Sequence, residues 1–246
     1  FAALASFPNA VALSGHTHIP LTDERSIWQG EFTSVATGSL SYVWLMDGRE
    51  NTSPGGKRVS QMEEINPWPW KDPDRGHHLM VFEVFDDRIE IERLSAFDLG
   101  RLGPNWVVPT DAAKRPYEYK KRAAAFPPPE FPAGAAITVS APFKGKNRKG
   151  VATEQVDVRF PTASAGKSRA FDYEVVAEAQ TDAGWKPHLV KKVYSPTYHK
   201  SVSSEAKEAN CVFAVDELPK GVCRFAVTPL SSLGTRGRSL RLSIKP

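Results

Sequence analysis

Ser14-Gly15-His16-Thr17-His18 is the stretch on which the reading of this sequence turns. Directly before it, Ala10-Val11-Ala12-Leu13 is an apolar run of strand length. The Ser-Gly pair ends that run, which predicts a buried strand stopping at a glycine turn. Two imidazoles then follow at i and i+2. In a turn this spacing does not force both rings to one side, so the pair is able to reach two neighbouring metal ions. Neutral imidazole suits transition metals such as Zn, Fe and Ni. Strand-end loops commonly carry such ligands, because the scaffold holds them while leaving them accessible. Some way on, Val35-Ala36-Thr37-Gly38-Ser39-Leu40 is a second strand-like run that ends in Gly-Ser.

The Gly-His-Thr-His of residues 15–18, followed by the Thr-Gly-Ser-Leu of 37–40, resembles the last motif block of calcineurin-like metallophosphoesterases. The resemblance implies an αββα sandwich with a dinuclear centre of divalent or trivalent transition-metal ions (Mn, Fe, Zn or similar). By it, His16 ligates the second metal and His18 the first, Thr17 is a spacer, and Gly38 and Ser39 shape the substrate pocket. The implied reaction is hydrolysis of a phosphomonoester or phosphodiester, in a small molecule or a polymer. Two metals would clamp the attacking and leaving oxygens and make water acidic enough to attack near neutral pH. The resemblance covers about residues 1–98. It also calls for an Asp-x-His, a Gly-Asp-x-x-Asp, a Gly-Asn-His-Glu/Asp and a further His before the final block, none of which occurs here. The fifteen residues before His16 hold no Asp, Glu, Cys or other His. The chain is therefore expected to be the C-terminal part of a larger hydrolase, inactive or nearly so by itself, with its metal centre absent or incomplete.

Outward from the motif, Asp23-Glu24-Arg25 reads as a solvated turn. Residues 47–76 read as a long loop, with Pro54-Gly55-Gly56, Pro67, Pro69 and Pro73. Trp44, Trp68 and Trp70 either frame a cleft beside it or anchor it by packing. Leu79 to Leu94 alternates apolar and polar residues around Asp86-Asp87, the signature of a hairpin. His77-His78 precede that hairpin, with His78 flanking the core, while His188 and His199 read as surface residues. Residues 99–135 are a proline-rich linker or strap, with a short helix expected within Ala112 to Ala125.

From 136 to 246 the pattern is all β. The expected strands are Ile137–Phe143, Gln155–Pro161, Phe171–Ala179, His188–Tyr194, Cys211–Val215, Val222–Pro229 and Ser239–Ile244. The run Val222-Cys223-Arg224-Phe225-Ala226-Val227, with Leu218-Pro219 before it and Leu233-Gly234 after, resembles a fibronectin type III or immunoglobulin-like domain. The expected fold is α/β plus all-β: a partial αββα sandwich represented mostly by its strands, then a seven-stranded β-sandwich. Bacterial calcineurin-like phosphoesterases often carry such a module, and the accessory sandwich suggests a periplasmic or extracellular setting.

The net charge of +4 over 246 residues hides two unlike parts: residues 1–100 carry −7 and residues 101–246 carry +11. The basic half favours anionic partners. This supports an alternative reading, a non-catalytic binding or stabilising module for anionic glycans or surface polymers. Its lysines are scattered except at Lys120-Lys121-Arg122 and Lys144 to Lys149, and no aromatic-plus-basic motif points to nucleic acid. No apolar run approaches the ~20 residues of a membrane span. Cys211 and Cys223 form no Cys-x-x-Cys pair, so a thiolate zinc site is not expected, and both read as small hydrophobes.

Overall fold

Short runs of Val, Ile, Phe and Tyr bounded by Gly, Pro, Asp and Asn fold as strands, and the chain is β-rich. The computed structural model describes residues 2–40, 43–45, 48–51, 57–58, 77–147, 150–165, 168–201 and 207–244. Most of the expected 47–76 loop lies outside these residues, with Trp68 and Trp70. Among the described residues the α-helices are α1 (Ala2–Ala5) and α2 (Tyr119–Ala125). No helix among them is long and apolar enough to cross a membrane.

In the first half, β1 (Val11–Ser14), β2 (Ile27–Gln29) and β3 (Thr33–Ala36) form a sheet in the order β1-β3-β2. β1 runs parallel to β3, and β2 antiparallel to it. β4 (Trp44–Leu45) pairs with β5 (Lys57–Arg58). β6 (His78–Val84) and β7 (Arg88–Ser95) make the expected hairpin, and β8 (Trp106–Pro109) adds a third antiparallel strand from within the proline-rich segment. Ile27 and Val35 from one sheet meet Ile91, Trp106 and Val108 from the other in a single apolar cluster. The expected burial of β1 is corrected. Val11 packs against that cluster, whereas Leu13, further along the same face, projects beyond it and is 55% exposed.

The second half begins with β9 (Thr138–Val139) and β10 (Phe143–Lys146), which divide the single strand expected over 137–143. Pro142 sits at the break and lacks the N–H that a continuous ladder needs. β9 and β10 both pair with β11 (Ala152–Pro161). After the small hairpin of β12 (Ser164–Ala165) and β13 (Ser168–Arg169) come β14 (Asp172–Thr181), β15 (Gly184–Tyr194), β16 (Glu208–Ala214), β17 (Cys223–Leu230) and β18 (Leu240–Ile244). β9, β10, β11 and β16 form one antiparallel sheet; β15, β14, β17 and β18 form the other, in that order. Among the described residues these two sheets thus hold eight strands, where seven were expected.

The side-chain period of two decides which residues fill that core. Val156, Val158 and Phe160 of β11 face Tyr173, Val175 and Ala177 of β14 across one cluster. Cys211 and Phe213 of β16 join them, as do Cys223, Phe225 and Val227 of β17. Burial pushes the Cys223 thiol up to about 11 and raises that of Cys211 as well, so both stay protonated and pack as small apolar groups.

Of the Asp23-Glu24-Arg25 turn, Arg25 is exposed as expected, whereas the two acidic residues are not solvated. Asp23 is buried, and the Glu24 side chain is only 12% exposed. Glu24 Oε1 accepts from Arg93 Nη1 at 2.9 Å, and Oε2 accepts from Trp106 Nε1 at 3.0 Å and from Arg122 Nη2. Its backbone N–H donates to Ser232 Oγ, after β17, at 3.1 Å. Glu24 is enclosed because these guanidiniums and the indole need an anionic partner away from water. Arg93, 1% exposed, also donates to the carbonyls of Leu21 and Pro104 and stacks over the Trp106 ring. Replacing Glu24 by Gln leaves two enclosed guanidiniums without their counter-charge. A loss of about 3 kcal/mol is expected, read from urea unfolding midpoints.

Candidate functional site

β1 and β3 lie side by side with Ser14 opposite Ala36, so their carboxyl ends open on the same side. Thr37 ties those ends together. Its N–H and its hydroxyl both donate to the Ser14 carbonyl, at 2.9 and 3.2 Å. The Gly15–His18 loop leaves β1 at this point and Gly38-Ser39 leaves β3. All the site residues expected from the sequence therefore sit at one sheet edge. In open sheets of parallel strands, ligands bind beyond the carboxyl ends.

His16 is exposed and His18 half-buried. Both hold left-handed backbone conformations, with φ of 74° and 52°. Such conformations cost a residue with a Cβ about 1 kcal/mol or more and concentrate where a ligand must be met. Between them, the Thr17 N–H donates to the Gly15 carbonyl at 3.0 Å, which tightens the turn.

Gly38 is required twice over. Its φ is +72°, and a Cβ there would stand 2.9 Å from Leu21 Cγ and 3.4 Å from His78 Cβ. The following residues run against the start of the hairpin. The Ser39 carbonyl accepts from the His78 N–H at 2.8 Å, and the Leu40 carbonyl lies 2.8 Å from His77 Nδ1.

His78 does more than flank a core. It is fully enclosed, and its Nδ1 accepts the Leu21 N–H at 2.9 Å. Its Nε2 lies 3.0 Å from the His199 carbonyl, which only accepts, so Nε2 carries the proton. Both ring nitrogens are occupied, and no lone pair remains for a metal. Burial holds the His78 pKa at about 3, against the opposing pull of the His199 hydrogen bond. His199 is correspondingly half-buried rather than on the surface, while His188 is exposed as expected. The sequence did carry a signal for His78: it shares a strand face with Met80 and Phe82, which pack on the first-half cluster. Further clamps on the segment after the double-His loop were not visible in the sequence. Thr22 Oγ1 donates to the Tyr198 carbonyl, and Glu24 N–H to Ser232.

His16 and His18 supply two imidazole donors, whereas a transition-metal ion takes four or more. Among the described residues no group of three or more His, Cys, Asp and Glu is placed to hold an ion. The residues present fit part of a ligand set and not a complete one. Compared with protein-family models, curated proteins and solved structures, the chain matches none.

Gly38→Ala is expected to destabilise the protein by about 1–3 kcal/mol, through the left-handed backbone and the crowding of Leu21, measured by thermal or urea unfolding. His78 makes stability depend on pH. The unfolded imidazole titrates near 6.5 and the folded one near 3, so between these values the unfolded chain binds the extra proton. Stability is complete above pH 6.5 and declines as pH falls towards 3, by about 1 kcal/mol per unit. Urea midpoints measured from pH 7.5 to 4.5 should fall with this slope, and His78→Gln should flatten it.

Proposed function

We propose that this chain carries the closing ligand block of a calcineurin-like metallophosphoesterase, followed by a fibronectin type III or immunoglobulin-like sandwich. One observation carries the reading. A double-His loop in left-handed conformation and a Gly-Ser turn meet at the carboxyl ends of two parallel strands. The two small sheets that share a cluster in the first half suit the strand layers of an αββα sandwich. The ligand blocks missing from the 246 residues would come from polypeptide outside this sequence.

In this reading His16 and His18 would help hold a pair of metal ions, which would supply charge stabilisation for phosphoryl transfer and acidify water. Both histidines lie on a loop whose backbone is held at both ends. The first hold is Thr37 on Ser14, and the second is His78 on Leu21. Gly38, with no side chain, lets the backbone of the neighbouring loop approach the site closely.

The alternative in which the sandwich stabilises the first half is favoured by specific contacts. Tyr198, His199 and Ser232 all bond to residues 22–24 or to His78. For the binding of anionic glycans, three basic residues of the sandwich are already engaged in internal ion pairs. Lys191 bonds to Glu217, Arg224 to Glu178 and Arg159 to Asp157.

The test is to express the whole reading frame that contains this chain and assay aryl phosphomonoesters and phosphodiesters with added Mn, Fe or Zn. His16→Ala and His18→Ala should each lower kcat by roughly a hundredfold or more, with melting temperature unchanged. Undiminished turnover in either variant would refute the ligand roles. Two tightly bound metals on the isolated 246-residue chain would refute the divided site.

A further inference from the structure

β15 and β16 are edge strands of the two second-half sheets. Among the described residues β15 pairs with β14 alone and β16 with β11 alone. A groove of about 550 Å³ follows the seam between them, a volume usual for ligand clefts. Its floor is the rim of the sandwich core, at Leu189, Val193 and Cys211. Lys191 spans the seam. Its Nζ donates to the Val212 carbonyl at 3.1 Å and to Glu217 Oε2 at 3.0 Å, so its charge is matched within the protein.

The β15 edge already takes added chain from the first half. The Glu50 N–H donates to the Lys192 carbonyl at 2.7 Å. The Asn51 carboxamide pairs with both polar groups of Tyr194, accepting its N–H at 2.9 Å and donating to its carbonyl at 3.1 Å. Lys192 and Tyr194 therefore face away from β14. Along an antiparallel strand the two backbone groups of successive residues turn to alternate sides. The register is regular from Tyr194 to Leu189, so Val190 faces away from β14 as well, into the groove. Neither its N–H nor its carbonyl has a partner among the described residues. Beyond it the register shifts and Pro187 brings no N–H, two features that blunt an edge against pairing. The stretch left open lies inside the groove.

Gln155 supplies a second open group. It lines the groove and is 6% exposed. Its Nε2 donates to Thr153 Oγ1 at 3.0 Å, while its Oε1 takes no donor among the described residues. Gly145 leaves room for this amide, since a Cβ there would stand 2.1 Å from Oε1.

We infer that the groove binds an extended peptide segment of a partner protein, added as a short strand to β15 at Val190. One peptide residue presents the N–H and the C=O that Val190 needs, side by side. Alternate side chains of such a strand turn towards Leu189, Val193 and Cys211, so they are apolar. Two carboxylates, Glu50 and Glu217, and two ammonium groups, Lys146 and Lys191, border the groove, and this balance favours an uncharged segment. A hydroxyl or amide side chain of the segment satisfies Gln155 Oε1. No residue of the double-His loop takes part, so the inference stands apart from the phosphoesterase reading.

The test is a titration of the full chain followed by assigned ¹H–¹⁵N spectra. The probe is a capped pentapeptide of alternating Thr and Val, and the control is the same peptide N-methylated at every amide. The probe should shift the Val190 N–H saturably and slow its exchange with D₂O about tenfold or more. The N-methylated peptide should bind at least about tenfold more weakly. Val190→Pro removes an N–H that β14 does not use, so the melting temperature should hold while probe affinity falls about tenfold. Should that variant not fold, the two peptides decide the matter on the unmodified chain. The proposal is overturned if the Val190 signal does not saturate with the probe, if the N-methylated peptide binds as tightly, or if maltose shifts the signal equally. It is also overturned if the Val190 N–H is protected in the free chain. Protection lost on dilution would assign the edge to a second copy, and protection independent of concentration would assign it to this chain itself.

Discussion

The Glu24 carboxylate receives hydrogen bonds from β7, β8 and α2 at once, through Arg93, Trp106 and Arg122, while its own backbone N–H reaches the turn after β17. Three separate parts of the chain must be in place before this one buried charge is satisfied. A charge enclosed without partners is strongly destabilising, so the arrangement acts as a registration device among the Glu24 turn, β7, β8 and α2. An apolar substitute of the same volume would pack, but it would not discriminate among ways of docking the α2 segment. The double-His loop lies only a few residues upstream of this buried charge.

That proximity links packing to the candidate site. The segment from Leu21 to Glu24 runs directly out of the His16–His18 loop, and nearly every polar group along it is engaged. The Leu21 N–H goes to His78, the Leu21 carbonyl to Arg93, and the Thr22 hydroxyl to Tyr198. His78 in turn donates to His199, so one neutral imidazole couples the loop, the hairpin and the second half. A left-handed conformation at two histidines persists only where surrounding structure over-determines it, and these anchors supply that constraint. The same anchors explain why Arg122, which belongs to a basic run in the sequence, is enclosed while its lysine neighbours are exposed.

Much of the fold was legible because strand periodicity is local. Val156, Val158 and Phe160 alternate with Asp157 and Arg159, Cys223, Phe225 and Val227 alternate with Arg224 and Ala226, and each set lies in the second-half core. The 78–95 hairpin was legible from the same period and the Asp86-Asp87 turn. At the candidate site, the glycine of Gly-Ser marked a left-handed backbone position, φ +72°, where a Cβ would also crowd Leu21. The burial of Asp23 and Glu24 was not legible. Charged residues in a Pro- and Ser-flanked turn have the composition of a solvated loop, and what overrides that composition lies far along the chain. β8 was hidden for a similar reason, since only four residues within a proline-rich stretch form the strand and they pair with β7.

By itself the sequence determined the alternation that makes this chain β-rich, the faces that fill the second-half core, and the glycine-flanked imidazoles at a strand end. These follow from steric and solvation rules acting over a few residues. Only the tertiary structure decided which polar groups are buried and with whom. His78 meets Leu21 across 57 positions and His199 across 121, and Glu24 meets Arg93 across 69 and Arg122 across 98. A buried donor or acceptor is tolerated only when its partner is present. That partner is set by how distant segments dock, which no local pattern records.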